Sequence, residues 1–135
     1  MNMTPEQKLK FAIIERAREM ELTEDASEIT EENVDELFDS LDEGGELQDA
    51  ISEVRCSGED TGLECERSRH YESKAVAAKM PDGSWVGWTY WYGGGKHGEP
   101  EAVDWMSDAY ALSVSEEQKR VTVKTFTREQ QGSKQ

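Results

Sequence analysis

The sequence predicts an α+β fold, with acidic helices first and an antiparallel sheet of three or four strands after them. Three observations predict it. Up to residue 55, apolar residues recur at i, i+3, i+4 and i+7, the period of a helix buried on one side. From residue 71 they alternate, the period of a strand. The turn-forming run PDGS, at 81 to 84, separates the two most strand-like stretches. A chain of 135 residues fits one domain. It divides into a helical part (4–55), a linker (56–70), a sheet part (71–127) and a polar tail (128–135).

The first helix spans 5 to 20. Thr4 is its N-cap, Pro5 suits its first turn, and Gln7 completes a capping box. Leu9, Ile13, Ala17 and Met20 form its apolar stripe, with Ala12 beside them and Phe11 and Ile14 widening it. Lys8, Lys10, Arg16 and Arg18 take the wet side. A polar connection, 21 to 30, leads to Thr30, which caps a helix from 31 to 43 with Val34, Leu37, Phe38 and Leu41 inward. Gly44 and Gly45 end it. A third helix, 46 to 55, buries Leu47, Ala50, Ile51 and Val54, and the Gly-Gly link predicts an αα-hairpin. From Cys56 to His70 the periodicity stops, which predicts a loop.

Residues 71 to 80 and 85 to 92 are the next two strands, and 85 to 92 is the central one. Pro81 and Gly83 stand where a type I turn with a bulge needs them. The second strand has aromatics on both faces, so it is covered on both sides, or covered on one and used for binding on the other. Residues 71 to 100 hold three of the four tryptophans and three of the four tyrosines. A glycine-rich loop opens at Gly93, a short helix covers 100 to 108, and residues 109–114 and 119–127 form a last hairpin.

Charge is the most uneven property of the chain. Net charge is −15, and residues 19 to 66 hold 19 Asp and Glu against one basic residue, Arg55. Such a block repels nucleic acid and anionic membranes and attracts basic surfaces. Direct nucleic-acid binding through a basic patch is therefore excluded as an expectation. Residues 1 to 20 have no uninterrupted apolar core and no run approaches a membrane span, which predicts a cytoplasmic protein. Cys56 and Cys65 are then two free thiols.

Two places could carry a site. The first is the outward face of the second and third helices: Asp35, Glu36, Asp39, Asp42, Glu43, Glu46, Asp49 and Glu53. Read plainly, this is a solvated face. Read functionally, it imitates the phosphates of DNA and occupies a basic channel on another protein, where electrostatics supply on-rate and selectivity. The second place is the aromatic strand with the GGGKHG loop: His70, Trp88, Tyr90, Tyr92, Lys96 and His97, a candidate ligand-binding or catalytic surface. Its loop lacks the Gly-Lys-[Ser/Thr] of a phosphate-binding P-loop, and its plain reading is a flexible connection. No EF-hand pattern fits DSLDEGG. Cys56, Cys65, His70 and His97 lack the spacing of a structural zinc site. No nucleophile–base motif is present, so no catalytic residue, metal or cofactor is assigned.

Residues 68 to 106, SRHYESKAVAAKMPDGSWVGWTYWYGGGKHGEPEAVDWM, resemble small proteins encoded in tailed bacteriophages and prophages, and the likeness runs to about Phe126. Those proteins have no assigned activity, so no catalytic residue carries over. The resemblance implies a bacterial host cytoplasm and an accessory phage gene. In that setting small acidic proteins often inhibit host nucleic-acid enzymes. The expected function is thus a non-enzymatic protein that binds and inhibits or modulates a host nucleic-acid-handling protein through its acidic, DNA-mimic-like helical face.

Overall fold

The computed structural model describes residues 2–115 together with 124 and 126. Among the described residues three helices come first, α1 (Pro5–Glu19), α2 (Val34–Glu43) and α3 (Gln48–Arg55), and four strands follow: β1 (Glu59–Asp60), β2 (Glu72–Lys79), β3 (Trp85–Tyr92) and β4 (Tyr110–Leu112). The strands form one antiparallel sheet in the order β1-β2-β3-β4.

The capping box of α1 is formed in both directions. Gln7 N–H donates to Thr4 Oγ1 at 3.1 Å, and Thr4 N–H donates to Gln7 Oε1 at 3.0 Å. Leu9, Ile13, Ile14 and Ala17 are its buried stripe. Both α1 and α2 end in a Schellman turn. In α2 this places Gly45 at φ 74° and closes Glu46 N–H on Leu41 C=O at 3.1 Å. In α1 the left-handed position falls on Glu21, at φ 59°, with Leu22 N–H on Ala17 C=O at 2.9 Å.

The helix starts differ from expectation for local reasons. Thr30 and Asn33 exchange hydrogen bonds of 2.7 and 3.3 Å, which holds 31 to 33 as a turn, so α2 begins at Val34 rather than residue 31. Glu46 is used in the α2 Schellman turn, so α3 begins at Gln48. α2 and α3 both pack on α1, which is the centre of the helical layer. The connection 21 to 30 is tethered rather than loose: Arg18 donates to Ser27 C=O at 2.6 Å, and Ile29 is buried in the core.

In the sheet, β2 and β3 pair along their whole length, from Glu72 opposite Tyr92 to Lys79 opposite Trp85. Met80 N–H closes the hairpin on Ser84 C=O at 2.7 Å, with Gly83 at φ 89°, the left-handed residue that a three-residue hairpin loop requires. The segment 56–70, read as a pure loop, contributes β1, because Gly58 runs against Val76 and Trp88 and delivers Glu59 and Asp60 to the β2 edge. The expected helix over 100 to 108 is a single 3₁₀ turn, Pro100–Ala102. The strand expected over 109–114 is β4. Its expected partner, 119–127, lies outside the described residues apart from Lys124 and Phe126.

One face of the sheet carries the core. Val76, Met80, Val86 and Trp88 pack with Leu9, Ile13, Ile14, Val34, Leu41, Leu47 and Ala50. Trp105 closes this core, its ring 5.4 Å from that of Trp88. The opposite face is also closed. Ala75, Ala77 and Trp91 are buried there, and the Tyr110 ring lies over Gly87. β3 is therefore central and covered on both sides, the first of its two expected forms. Among the described residues no helix is long and apolar enough to cross a membrane.

Candidate functional site

The acidic face is built by α2, the Gly-Gly link and α3. Because Val34, Phe38, Leu41, Leu47, Ala50 and Val54 point into the core, the intervening carboxylates must point away from it. Seven of the eight predicted residues are exposed, and Glu46 is half-buried. They are not equivalent. Asp35 accepts from Lys10 Nζ at 2.9 Å and Gln7 Nε2 at 3.0 Å, and these bonds hold its carboxyl below the usual carboxylate range. Glu53 pairs with Arg16, and Arg16 also reaches Glu19 at 2.8 Å. These two are internal struts between α1 and its neighbours.

Glu36, Asp39, Asp42, Glu43 and Asp49 remain exposed with no ion pair among the described residues. On α2, Glu36, Asp39 and Glu43 are separated by about 4.5 and 6 Å along the axis. Asp42 and Glu43 occupy its last turn, which contains no basic residue. The helix dipole makes that end negative, so carboxylates there are disfavoured. The one base of the acidic segment does nothing to relieve them. Arg55 is turned inward, 7% exposed, where its guanidinium donates to Trp91 C=O and lies 4.5 Å from the Tyr90 ring centroid.

The second predicted site does not assemble as a unit. Trp88 is fully buried, packs against Trp105 with the rings tilted at 50°, and donates from Nε1 to Arg55 C=O at 3.3 Å, so it is core and not ligand surface. His70, Lys96 and His97 are exposed, and none of their side chains has a hydrogen-bond partner among the described residues. The GGGKHG loop folds back on itself, with Gly98 N–H on Gly95 C=O at 3.1 Å. A Cβ on Gly94 would stand 2.5 Å from the Tyr71 ring, and Gly94 has φ 88°, so this loop is a close-packed turn. What does come together is Tyr90 and Tyr92. Their rings are stacked at 5.9 Å, with Lys74 Nζ 5.5 and 5.8 Å from the two centroids. This ledge lies at the end of the core face beyond Trp88.

Cys56 and Cys65 are free thiols, Cys56 exposed and Cys65 half-buried. Cys65 Sγ lies 3.4 Å from Ser73 Oγ, and Cys56 Sγ lies 3.9 Å from the Tyr90 hydroxyl. Among the described residues no group of three or more His, Cys, Asp and Glu stands close enough to hold a metal ion. Neither Arg55 nor Trp105 stands in a sequence motif that predicts its role. The signal for Arg55 was its isolation in an acidic segment. Trp105 carried none, because it stands outside any periodic run.

Comparison with protein families, with curated proteins and with solved structures returns no match.

Proposed function

We propose that this chain is a phage-type accessory protein that binds a host nucleic-acid-handling protein and inhibits or modulates it. α2 and α3 present the carboxylates that take the place of nucleic-acid phosphates on the partner's basic surface. The observation that carries this reading is the cost retained on one face. Glu36, Asp39, Asp42, Glu43 and Asp49 stand exposed without ion pairs among the described residues, two of them at the negative end of α2. The bases of α1 neutralise only Asp35 and Glu53 at the border of that face. Like charges at i,i+3 and i,i+4 destabilise a helix by about 0.2–0.5 kcal/mol per pair. A face that served solubility alone would gain by spreading the same charge. Carboxylates at steps of about 4.5 to 6 Å form a row of fixed negative charge like that of the phosphates along a DNA strand but sparser than their about 3.4 Å per step.

The test is affinity capture from nuclease-treated bacterial lysate, wild type against a variant carrying E36Q, D39N, D42N, E43Q and D49N. The expected result is a nucleic-acid-binding protein held by the wild type, released by moderate salt, displaced by duplex DNA and lost from the variant. Equal capture by both proteins, or a partner that DNA does not displace, refutes the reading.

A further inference from the structure

In an antiparallel strand, backbone groups of alternate residues point to opposite neighbours. On β2 the outward set is identified by Thr61 N–H, which donates to Ala75 C=O at 2.9 Å from the β1 side. Ala75 therefore faces the outer edge, and so do Ser73 and Ala77. β1 covers only part of this edge, pairing with Val76 and Ala77. Beyond Thr61 the chain leaves the edge, and among the described residues the Ser73 N–H and C=O have no hydrogen-bond partner. The unpaired stretch opens into a cleft of about 620 Å³ between β2 and the loop 62–68. Its far wall is anchored over Ser73, whose hydroxyl donates to Glu66 C=O at 2.5 Å.

Natural sheets cover, shorten or charge their edges, because an open edge templates a further strand. Here the edge is left open inside a walled cleft. We infer that the β2 edge at Ser73 is a docking site for an extended, basic peptide segment of a partner protein, which continues the sheet beyond β1 by strand addition. The walls select the occupant's shape. The loop 62–68 stands beside the edge, so a single extended chain enters where the edge of a second folded copy does not. Charge selects its chemistry. Asp60, Glu64 and Glu72 line the cleft against Arg67 and Lys74, and Lys74 is turned onto the Tyr90 and Tyr92 rings. The whole chain carries −15, which draws cationic segments to it. This site is separate from the α2–α3 face and does not depend on it.

The probe is a blocked hexapeptide alternating lysine and threonine. Its control has the same sequence with N-methyl groups on alternate residues, which keeps the charge and removes the pairing N–H groups. Amide hydrogen exchange on the wild-type chain is read residue by residue. With peptide, exchange at the Ser73 amide is expected to slow about tenfold or more, with little change at Lys74, whose amide already faces β3. The methylated control is expected to have no such effect. Ser73→Pro removes an N–H that no internal bond uses and is tolerated at a sheet edge, so it is expected to abolish binding. Ser73→Ala, which loses the hydroxyl's bonds to Glu66 and Cys65 but keeps the N–H, is expected to keep it. The proposal is overturned by no binding at about 1 mM peptide, by binding that leaves the Ser73 amide unchanged, or by retained binding in Ser73→Pro. It is also overturned if Ser73 is protected by raising the concentration of the chain alone, which would make a second copy the occupant.

Discussion

Two carboxylates one turn apart on α2 should respond to neutralisation with opposite signs. Asp39 has like-charged neighbours at every helical contact distance: Asp35 at i−4, Glu36 at i−3, Asp42 at i+3 and Glu43 at i+4. Four such pairs at about 0.2–0.5 kcal/mol each set a repulsion of about 0.8–2 kcal/mol at low salt. Burial lowers the Lys10 pKa, but the bond to Asp35 and, more weakly, the charges of Glu6 and Asp39 raise it overall, so a small long-range attraction to Lys10 offsets part of the Asp39 repulsion. Asp39→Asn is therefore expected to stabilise the fold by about 0.5–1.5 kcal/mol. Asp35→Asn removes one of those repulsions but also the Lys10 ion pair and the Gln7 hydrogen bond, so it is expected to be neutral or destabilising. The assay is urea denaturation followed by far-UV circular dichroism, in about 20 mM and about 1 M NaCl. At 1 M the Debye length is about 3 Å, and the Asp39→Asn gain should largely disappear. A destabilising Asp39→Asn, or a gain that persists in 1 M salt, would refute the claim that this face is held against uncompensated repulsion. The functional proposal would lose its main support with it.

Glu21→Gly is expected to raise stability by about 0.5 kcal/mol in the same assay, because relief of the left-handed conformation outweighs the added freedom of the unfolded chain. Gly87→Ala should cost about 1–3 kcal/mol, since its Cβ would stand 2.6 Å from the Tyr110 ring and would push β4 from the sheet. Asp104 accepts from the Ser107 hydroxyl at 2.5 Å and from the Met106 and Ser107 N–H groups, which fixes the turn that seats Trp105. These bonds hold its carboxyl below the usual range, as the Ser84 bonds do for Asp82. A depressed folded pKa contributes stability that is present above the unfolded value and lost as pH falls through the folded one. Chemical-denaturation midpoints should thus drop below about pH 4, and less steeply in Asp104→Asn; an unchanged slope would show that the Ser107 bonds do not stabilise the turn.

Much of the architecture is written locally. The Thr4–Gln7 capping box, the apolar stripe of α1, the Gly-Gly stop of α2 and the PDGS hairpin each depend on residues within a few positions of one another. A reading of neighbours therefore finds them. The acidic helical face was legible for the same reason: once Phe38 and Leu41 go inward, Asp39 and Asp42 must go outward. Tertiary structure decided the rest. A period of two cannot say which aromatic face of β3 meets the helices, and only packing under α1 with Trp105 buries Trp88 and leaves Tyr92 at the surface. Pairing of Glu59 with Ala77 joins residues far apart in sequence and has no local signature. The placement of the charges is likewise tertiary. The sequence determines that residues 19–66 are acidic, but α1 alone selects Asp35 and Glu53 for pairing. Arg55 turns inward to donate to the Trp91 carbonyl and so neutralises none of the carboxylates of the outer face.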